Sequence, residues 1–283
     1  MADRVTKATI VRELCIDLAE EQHRLREVLN GLGESDWARL TPAEHWTIHD
    51  QIAHLAHFDF ITRLAVVQPN RFIAIRDTIV DLQTYVDLIG PANLSRTGED
   101  MQRWWCVESS KLVDVIKTAD PGTRVPWFGP QMSLPTKITA RIMETWAHGQ
   151  DIRDALKVPP SPSSNLAHIA RIGVLAFPNS FAVRGIDVPT AAVRVELELG
   201  DGTVWTAGPD HATETVTGPI EDFCLVVTQR RHIADTALRT EGLTASRWMR
   251  IAQAFAGPPG SGRAPGQFAA PHRISTARNQ TAD

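Results

Sequence analysis

At Pro159-Pro160-Ser161-Pro162-Ser163-Ser164 the hydrophobic rhythm of this chain changes. Before it, apolar residues recur at three- and four-residue steps, the spacing of a helix face. Beyond it comes Val193-Arg194-Val195-Glu196-Leu197-Glu198-Leu199, a strict apolar/polar alternation that reads as a half-buried strand. Two periodicities separated by a Pro/Ser break predict two domains, at 1–158 and 165–257, in a chain of 283 residues.

The first part reads as helices. Residues 8–32 carry Ile10, Val11, Leu14, Leu18, Leu25, Val28, Leu29 and Leu32 on one face, with Gly31 and Gly33 closing the end. Thr47 is a good N-cap with Asp50 three residues on, and Ile48, Ile52, Leu55, Phe58, Ile61 and Leu64 continue a helix to about Gln68. Residues 71–88 form a less regular helical stretch, ending at Gly90-Pro91. A third long helix spans about Ser95 to Lys117, and a fourth Leu134 to Leu156, separated by the Pro/Gly-rich loop 121–130. Four long amphipathic helices predict a four-helix bundle with an extra helix in one connection.

The second part mixes types. A helix from Leu166 to about Phe177 precedes the strand at 193–199, and Gly200-Asp201-Gly202 turns it into Val204-Trp205-Thr206. Thr213–Thr217 is a third strand, followed by helices from Ile220 to about Leu238 and from Ala245 to Phe255. The fold class expected is therefore two-domain α+β, a helical bundle followed by a small α+β domain. Pro, Gly, Ser and Ala dominate 258–283, which reads as a disordered tail.

Composition excludes several functions. With 43% hydrophobic residues, 22% charged and a net charge of −4, the chain has no basic run for nucleic acid and no apolar stretch of membrane-spanning length. The N-terminus does not read as a signal peptide. Cys15, Cys106 and Cys224 are scattered and odd in number, which fits thiols in a reducing cytoplasm. HExxH, GxSxG and P-loop patterns are absent.

The chemistry-bearing stretch is Met143-Glu144-Thr145-Trp146-Ala147-His148-Gly149-Gln150-Asp151. Glu144 and His148 are four residues apart and project one turn apart from the same helix face, beside Ile138, Ile142, Ile152 and Leu156. Such a polar pair in an apolar stripe is costly to bury unless something satisfies it. The second helix offers His54, at the edge of its core-facing stripe, while the Thr47 cap puts His45 outside that helix and removes a His45/His49 pairing. His54, Glu144 and His148 make a two-histidine, one-carboxylate set with the ligand count of a catalytic zinc site. The same residues also fit a core histidine beside a plain Glu144–His148 ion pair. Asp151, Asp59 and Gln150 are near enough in sequence to accept from imidazole N–H groups.

Four segments carry a family resemblance: His45-Trp46-Thr47-Ile48-His49-Asp50-Gln51-Ile52-Ala53-His54-Leu55-Ala56, Pro126-Trp127-Phe128-Gly129-Pro130, the 143–151 stretch, and Thr228-Gln229-Arg230-Arg231-His232. From about residue 8 to 260 the chain resembles the DinB/YfiT-like metalloprotein superfamily, and more closely its mycothiol-dependent maleylpyruvate isomerase branch, as an uncharacterised subfamily. The resemblance implies a divalent metal, most readily zinc, on His54, Glu144 and His148, with Glu144 at a position where many members carry a third histidine. It implies mycothiol or a similar small thiol as cofactor or co-substrate, and a small electrophilic substrate. The expected activity is S-transfer or cis–trans isomerisation, by a cytoplasmic monomer or homodimer. Arg230 and Arg231, in a segment that faces the bundle in the isomerase, are expected to bind ligand between the domains. Trp46 and Trp127 lie in loops flanking the metal helices and are expected to wall the pocket. A metal-dependent amide or ester hydrolase, and a non-catalytic metal- or ligand-binding protein, are the alternatives.

Overall fold

The computed structural model describes residues 6–159 and 163–268. Its elements, in order, are α1 (Lys7–Leu29), α2 (Glu34–Trp37), α3 (Ile48–Val67), α4 (Pro69–Arg76), α5 (Leu82–Asp87), α6 (Gly98–Thr118), β1 (Arg124–Val125), β2 (Met132–Ser133) and α7 (Leu134–Leu156). There follow α8 (Leu166–Leu175), α9 (Phe177–Ala182), β3 (Val193–Glu198), β4 (Val204–Ala207), β5 (Glu214–Pro219), α10 (Ile220–Val227), β6 (Arg239–Glu241) and α11 (Leu243–Ile251). Two short 3-10 turns sit at Pro91–Asn93 and Ile233–Asp235.

Helices α1, α3, α6 and α7 form the bundle. Each starts on a threonine or serine cap: Thr6, Thr47, Thr97 and Ser133 accept from the backbone N–H three residues on. At Thr47 the Asp50 carboxylate reaches back to close a full capping box, as the sequence predicts. The bundle core has two apolar clusters, one around Leu18, Ile61, Leu112 and Ile142, the other around Leu25, Ile52, Leu55 and Trp105. A buried polar group joins α3, α6 and α7: Arg141 pairs with Asp59 at 3.0 Å, and Asp59 also accepts from Trp105 Nε1 at 3.2 Å. Fully burying one Leu or Phe side chain stabilises by about 1.5–3 kcal/mol, so these clusters carry the fold.

The second part builds a four-stranded sheet in the order β4-β3-β5-β6. The turn at Gly200-Asp201-Gly202 makes the expected β3–β4 hairpin, while β5 joins β3 in parallel and β6 joins β5 antiparallel. α8 and α10 pack closely beside this sheet. A Cβ on Gly173 would lie 2.8 Å from Val227 and 3.0 Å from Phe223, so only glycine lets α8 approach. Helix α7 belongs to both cores. Ile138, Ile142 and Ile152 face the bundle, whereas Met143, Trp146 and Ala147 join Phe223, Val226 and Trp248. One helix thus connects the two parts rigidly, and the ligand candidates ride on it.

Several expected bounds change, each for a local reason. The first helix stops at Leu29, because Asn30 leaves helical geometry and Gly31 takes φ +79°. The irregular stretch at 71–88 is two helices, with Asp81 capping the second through the Thr84 N–H at 2.7 Å. The third long helix starts at Gly98 and not near Ser95, on its Thr97 cap. The helix at 166–177 splits into α8 and α9, and β6 and the small β1–β2 hairpin carry no alternation long enough to announce them. The helix expected over 220–238 ends at Val227. Gln229 turns left-handed (φ +61°), and the Arg230 N–H folds back to the Leu225 carbonyl at 2.7 Å, a helix-terminating turn. Arg230 and Arg231 therefore sit in a turn and not on a helix.

The largest correction concerns the tail. Residues 257–268 return across the molecule. Gln253 ties them by donating to the Pro258 carbonyl at 3.1 Å and accepting from the Gly260 N–H at 3.1 Å, and Arg184 donates to the Gly260 carbonyl at 3.1 Å. Further on, Phe268 lies against the Arg231 guanidinium at 4.4 Å. Glycine and proline here serve a close-fitting path, not disorder. The rest of the expected tail, 269–283, lies outside the described residues, as do 160–162 of the Pro/Ser break. No helix among the described residues is long and apolar enough to cross a membrane.

Candidate metal centre

α3 brings His54, and α7 brings Glu144 and His148, to one point on the bundle wall. One Glu144 oxygen, Oε2, lies 3.1 Å from His148 Nε2 and 3.5 Å from His54 Nε2, and one donor atom of each residue lies within 4.8 Å of the others. The imidazole rings are tilted, 4.4 Å apart. Donors at about 2.0–2.1 Å from a tetrahedral zinc are separated by about 3.3 Å, so two of the three spacings already suit one ion.

Protonation matches that use. Burial first, and then the facing His148, lower the His54 pKa to about 3, so this imidazole is neutral and keeps a lone pair. Burial alone would raise the Glu144 carboxyl. The close approach of His148 Nε2 and His54 Nε2 outweighs it and holds the group well below the usual carboxylate range. Two imidazoles and a carboxylate converging on one point suit a borderline cation such as zinc.

The residue that orients His148 is Gln51. The fully buried Gln51 amide accepts from His148 Nδ1 through Oε1 and donates through Nε2 to Thr41 Oγ1 at 2.8 Å. Thr41 in turn donates to the Trp46 carbonyl at 2.9 Å, so its oxygen is left as an acceptor. This relay fixes the amide, places the His148 proton on Nδ1 and points the Nε2 lone pair at Glu144. The signal for Gln51 was a lone amide on the buried face with Ile48, Ile52 and Leu55, one turn before His54.

The expected acceptors do other work. Asp59 lies five residues after His54, on another face of α3, and is taken up by Arg141 and Trp105. Asp151 receives Arg230 on one oxygen and Arg263 on the other, both at 2.8 Å, and touches no imidazole. Gln150 donates to Asp154 at 2.8 Å. None of the three holds a ligand histidine.

Trp46 lies as the sequence suggests, stacked on His148 at 5.9 Å and 17°, and 5.3 Å from His54. Trp127 does not reach this site. It stacks on Phe72 at 5.7 Å with Phe58 and Phe128 around it, half-buried against the bundle core. The arginines divide. Arg230 reaches the cleft of about 590 Å³ that opens over His54, Glu144 and His148. Arg231 turns away, pairing with both oxygens of Asp154 at 2.7 Å. The far wall of the cleft is the returning segment 255–263, and its Arg263 carries no sequence signal.

A helical bundle with a His–Glu–His cluster on facing helices, joined through α7 to a small α+β domain, is the architecture expected of a DinB/YfiT-like protein. Residues 18–153 match the family described as mycothiol maleylpyruvate isomerase N-terminal domain. An uncharacterized protein found in two strains of Mycobacterium tuberculosis is 37% identical over 255 residues, covering 87% of this chain and 96% of its own length. The crystal structure of the mycothiol-dependent maleylpyruvate isomerase superposes with a TM-score of 0.57 at 12% identity, over 83% of this chain and 95% of that one. The structure of a point mutant of that isomerase gives 0.55 at 13%, with the same coverage. Residues 18–153 thus belong to the mycothiol maleylpyruvate isomerase N-terminal domain family, and the chain as a whole belongs to one family with the uncharacterized Mycobacterium tuberculosis protein.

Proposed function

We propose that this protein is a metal-dependent enzyme that uses a low-molecular-weight thiol, mycothiol, to form or rearrange a thiol adduct of a small electrophile. S-transfer and cis–trans isomerisation share that chemistry. The observation that carries the reading is the convergence of His54 Nε2, Glu144 Oε2 and His148 Nε2 within 4.8 Å at the wall of a ligand-sized cleft. The family membership and the likeness to the mycothiol-dependent isomerase supply the thiol.

A divalent ion such as zinc, held by His54, Glu144 and His148, would keep a thiol in its thiolate form at neutral pH, where a free thiol with pKa near 8.5 is only a few per cent ionised. The remaining roles belong to the chain itself. Burial keeps His54 unprotonated, and Gln51 holds His148 in the tautomer whose Nε2 faces the cleft. Trp46 closes one side over both imidazoles with an apolar ring that excludes water. Arg230 and Arg263, held by Asp151, give the opposite side positive charge and N–H donors for polar groups of a bound ligand. Both domains thus contribute to one cleft, the commoner place for a small-molecule site.

The test is turnover of an electrophile panel by zinc-loaded protein with and without mycothiol, read as S-conjugate or isomerised product. Product that needs the thiol is expected. Equal turnover without any thiol would overturn this reading in favour of metal-assisted hydrolysis.

A further inference from the structure

The space at the candidate metal centre has two lobes, which share Glu44, Trp46, His54, Gln83 and Val86 where they meet. One, of about 590 Å³, lies between α7 and segment 255–263 and carries Arg230 and Arg263. The other, of about 630 Å³, lies between loop 44–46 and the segment around α5 and Pro91. The segment beyond α5 can lie against the first turn of α3 only because residue 90 is glycine, since a Cβ there would meet Asp50 Oδ1 at 2.1 Å.

The second lobe has a distinct character. Val86, Ile89, Pro91 and Leu94 give it an apolar floor, continuous with His54 and Trp46. Its charges are all of one sign: Glu44, Asp50 and Asp87 line it, and no Arg or Lys does. Of its two histidines, His54 belongs to the metal cluster, and His45 sits 3.5 Å from Glu44 and is almost fully exposed. The Asp50 carboxylate is fixed by the Thr47 cap and that of Asp87 accepts from Gln83 at 2.9 Å, so neither is turned out of the way by an arginine. A carboxylate ligand in this lobe would lose its hydration and meet like charge, and beyond the metal at its His54 end no arginine or lysine among the described residues lines the lobe to offset either cost.

We propose that this second lobe takes the electrophilic substrate, and that it selects an uncharged, largely apolar molecule and rejects a carboxylate. The inference rests on the thiol reading above and names the substrate class for it. An α,β-unsaturated ester or ketone fits. The thiolate sulfur bonds to the β-carbon, the π pair moves to the α-carbon, and that carbon takes a proton from water, replacing the one the thiol gave up. No oxidant or reductant is needed.

The test is binding in the absence of thiol, so that its failure and that of the thiol reading are separable. Diethyl maleate and maleate share a carbon skeleton and differ in charge. Each is titrated calorimetrically into zinc-loaded protein, and into a Glu44→Lys/Asp87→Lys variant, whose two changed side chains are both exposed. The diester is expected to bind at least 10-fold more tightly than the dianion to the parent. The variant should narrow that ratio about 10-fold or more, with unchanged zinc content. Maleate binding as tightly as its diester, or a ratio that the variant leaves unmoved, would overturn the proposal. If the ratio behaves as expected while turnover proves independent of thiol, the lobe assignment stands and the thiol chemistry falls.

Discussion

The carboxylate of Asp151, in the last two turns of α7, holds the guanidinium of Arg230 at 2.8 Å from the turn after α10. Arg263 occupies its other oxygen at the same distance. Asp151 is fully buried, so one carboxylate pairs with two cations from two separate segments of the chain and leaves one positive charge over. Removing it leaves two guanidinium groups facing each other with nothing between.

Asp151→Ala is therefore expected to be the most costly change in this network. Breaking a buried charge pair by removing one partner costs about 3–5 kcal/mol. Arg230→Ala and Arg263→Ala each leave Asp151 a partner, and should cost about 1.5–3 kcal/mol, the range for a hydrogen bond to a charged group. Urea unfolding of the three variants gives the order. Arginine variants less stable than Asp151→Ala would show that the network is not centred on the carboxylate.

The metal prediction is compositional. The parent is expected to carry close to one divalent ion per chain, and His148→Ala or His54→Ala to lose it, because each supplies one of the three donor atoms that converge among the described residues. Elemental analysis after dialysis decides. Full metal content in both variants would remove these residues from the centre.

Gln51 separates orientation from ligation. Gln51→Leu keeps all three donors and removes the acceptor that fixes His148 Nδ1. Loss of such an outer partner typically weakens metal affinity by about 10–100-fold. Competition with a chromophoric chelator should show that shift for Gln51→Leu with the fold intact by circular dichroism. An unchanged affinity would mean that packing alone orients the imidazole.

What the sequence made legible here follows from the range over which each signal acts. Thr47 and Asp50 cap a helix within one turn, and Glu144 and His148 share a face by spacing alone, so both were readable locally. The pairing of His54 with them needed the bundle, but the family pattern supplied it. Asp151 was misassigned because proximity in sequence to His148 says nothing of Arg230 and Arg263, 79 and 112 residues further on. The turn at Gln229 was unreadable for a related reason. A left-handed glutamine is not announced by composition, and helical apolar spacing runs on through it. The 257–268 segment shows the same limit, since a Gly/Pro-rich path that packs and one that does not have the same composition.

The last prediction concerns acid stability and a histidine outside the metal cluster. Burial lowers the His57 pKa from 6.5 to about 4, and the neutral ring bonds through Nε2 to the Tyr85 hydroxyl, joining α3 to α5. The folded state thus refuses a proton that the unfolded chain accepts below pH 6.5. Stability from this residue is complete above pH 6.5 and declines as the pH falls toward 4, at about 1.4 kcal/mol per unit for one proton, or about 3 kcal/mol over the window. His57→Gln retains an acceptor for Tyr85 and does not titrate. Metal-free parent and variant, unfolded in urea at intervals between pH 7 and 4, should therefore diverge in slope by about one proton, the variant being the flatter. Parallel slopes would mean that His57 is as easily protonated in the folded protein as in the unfolded chain, and that the contact with α5 opens in acid before the fold does.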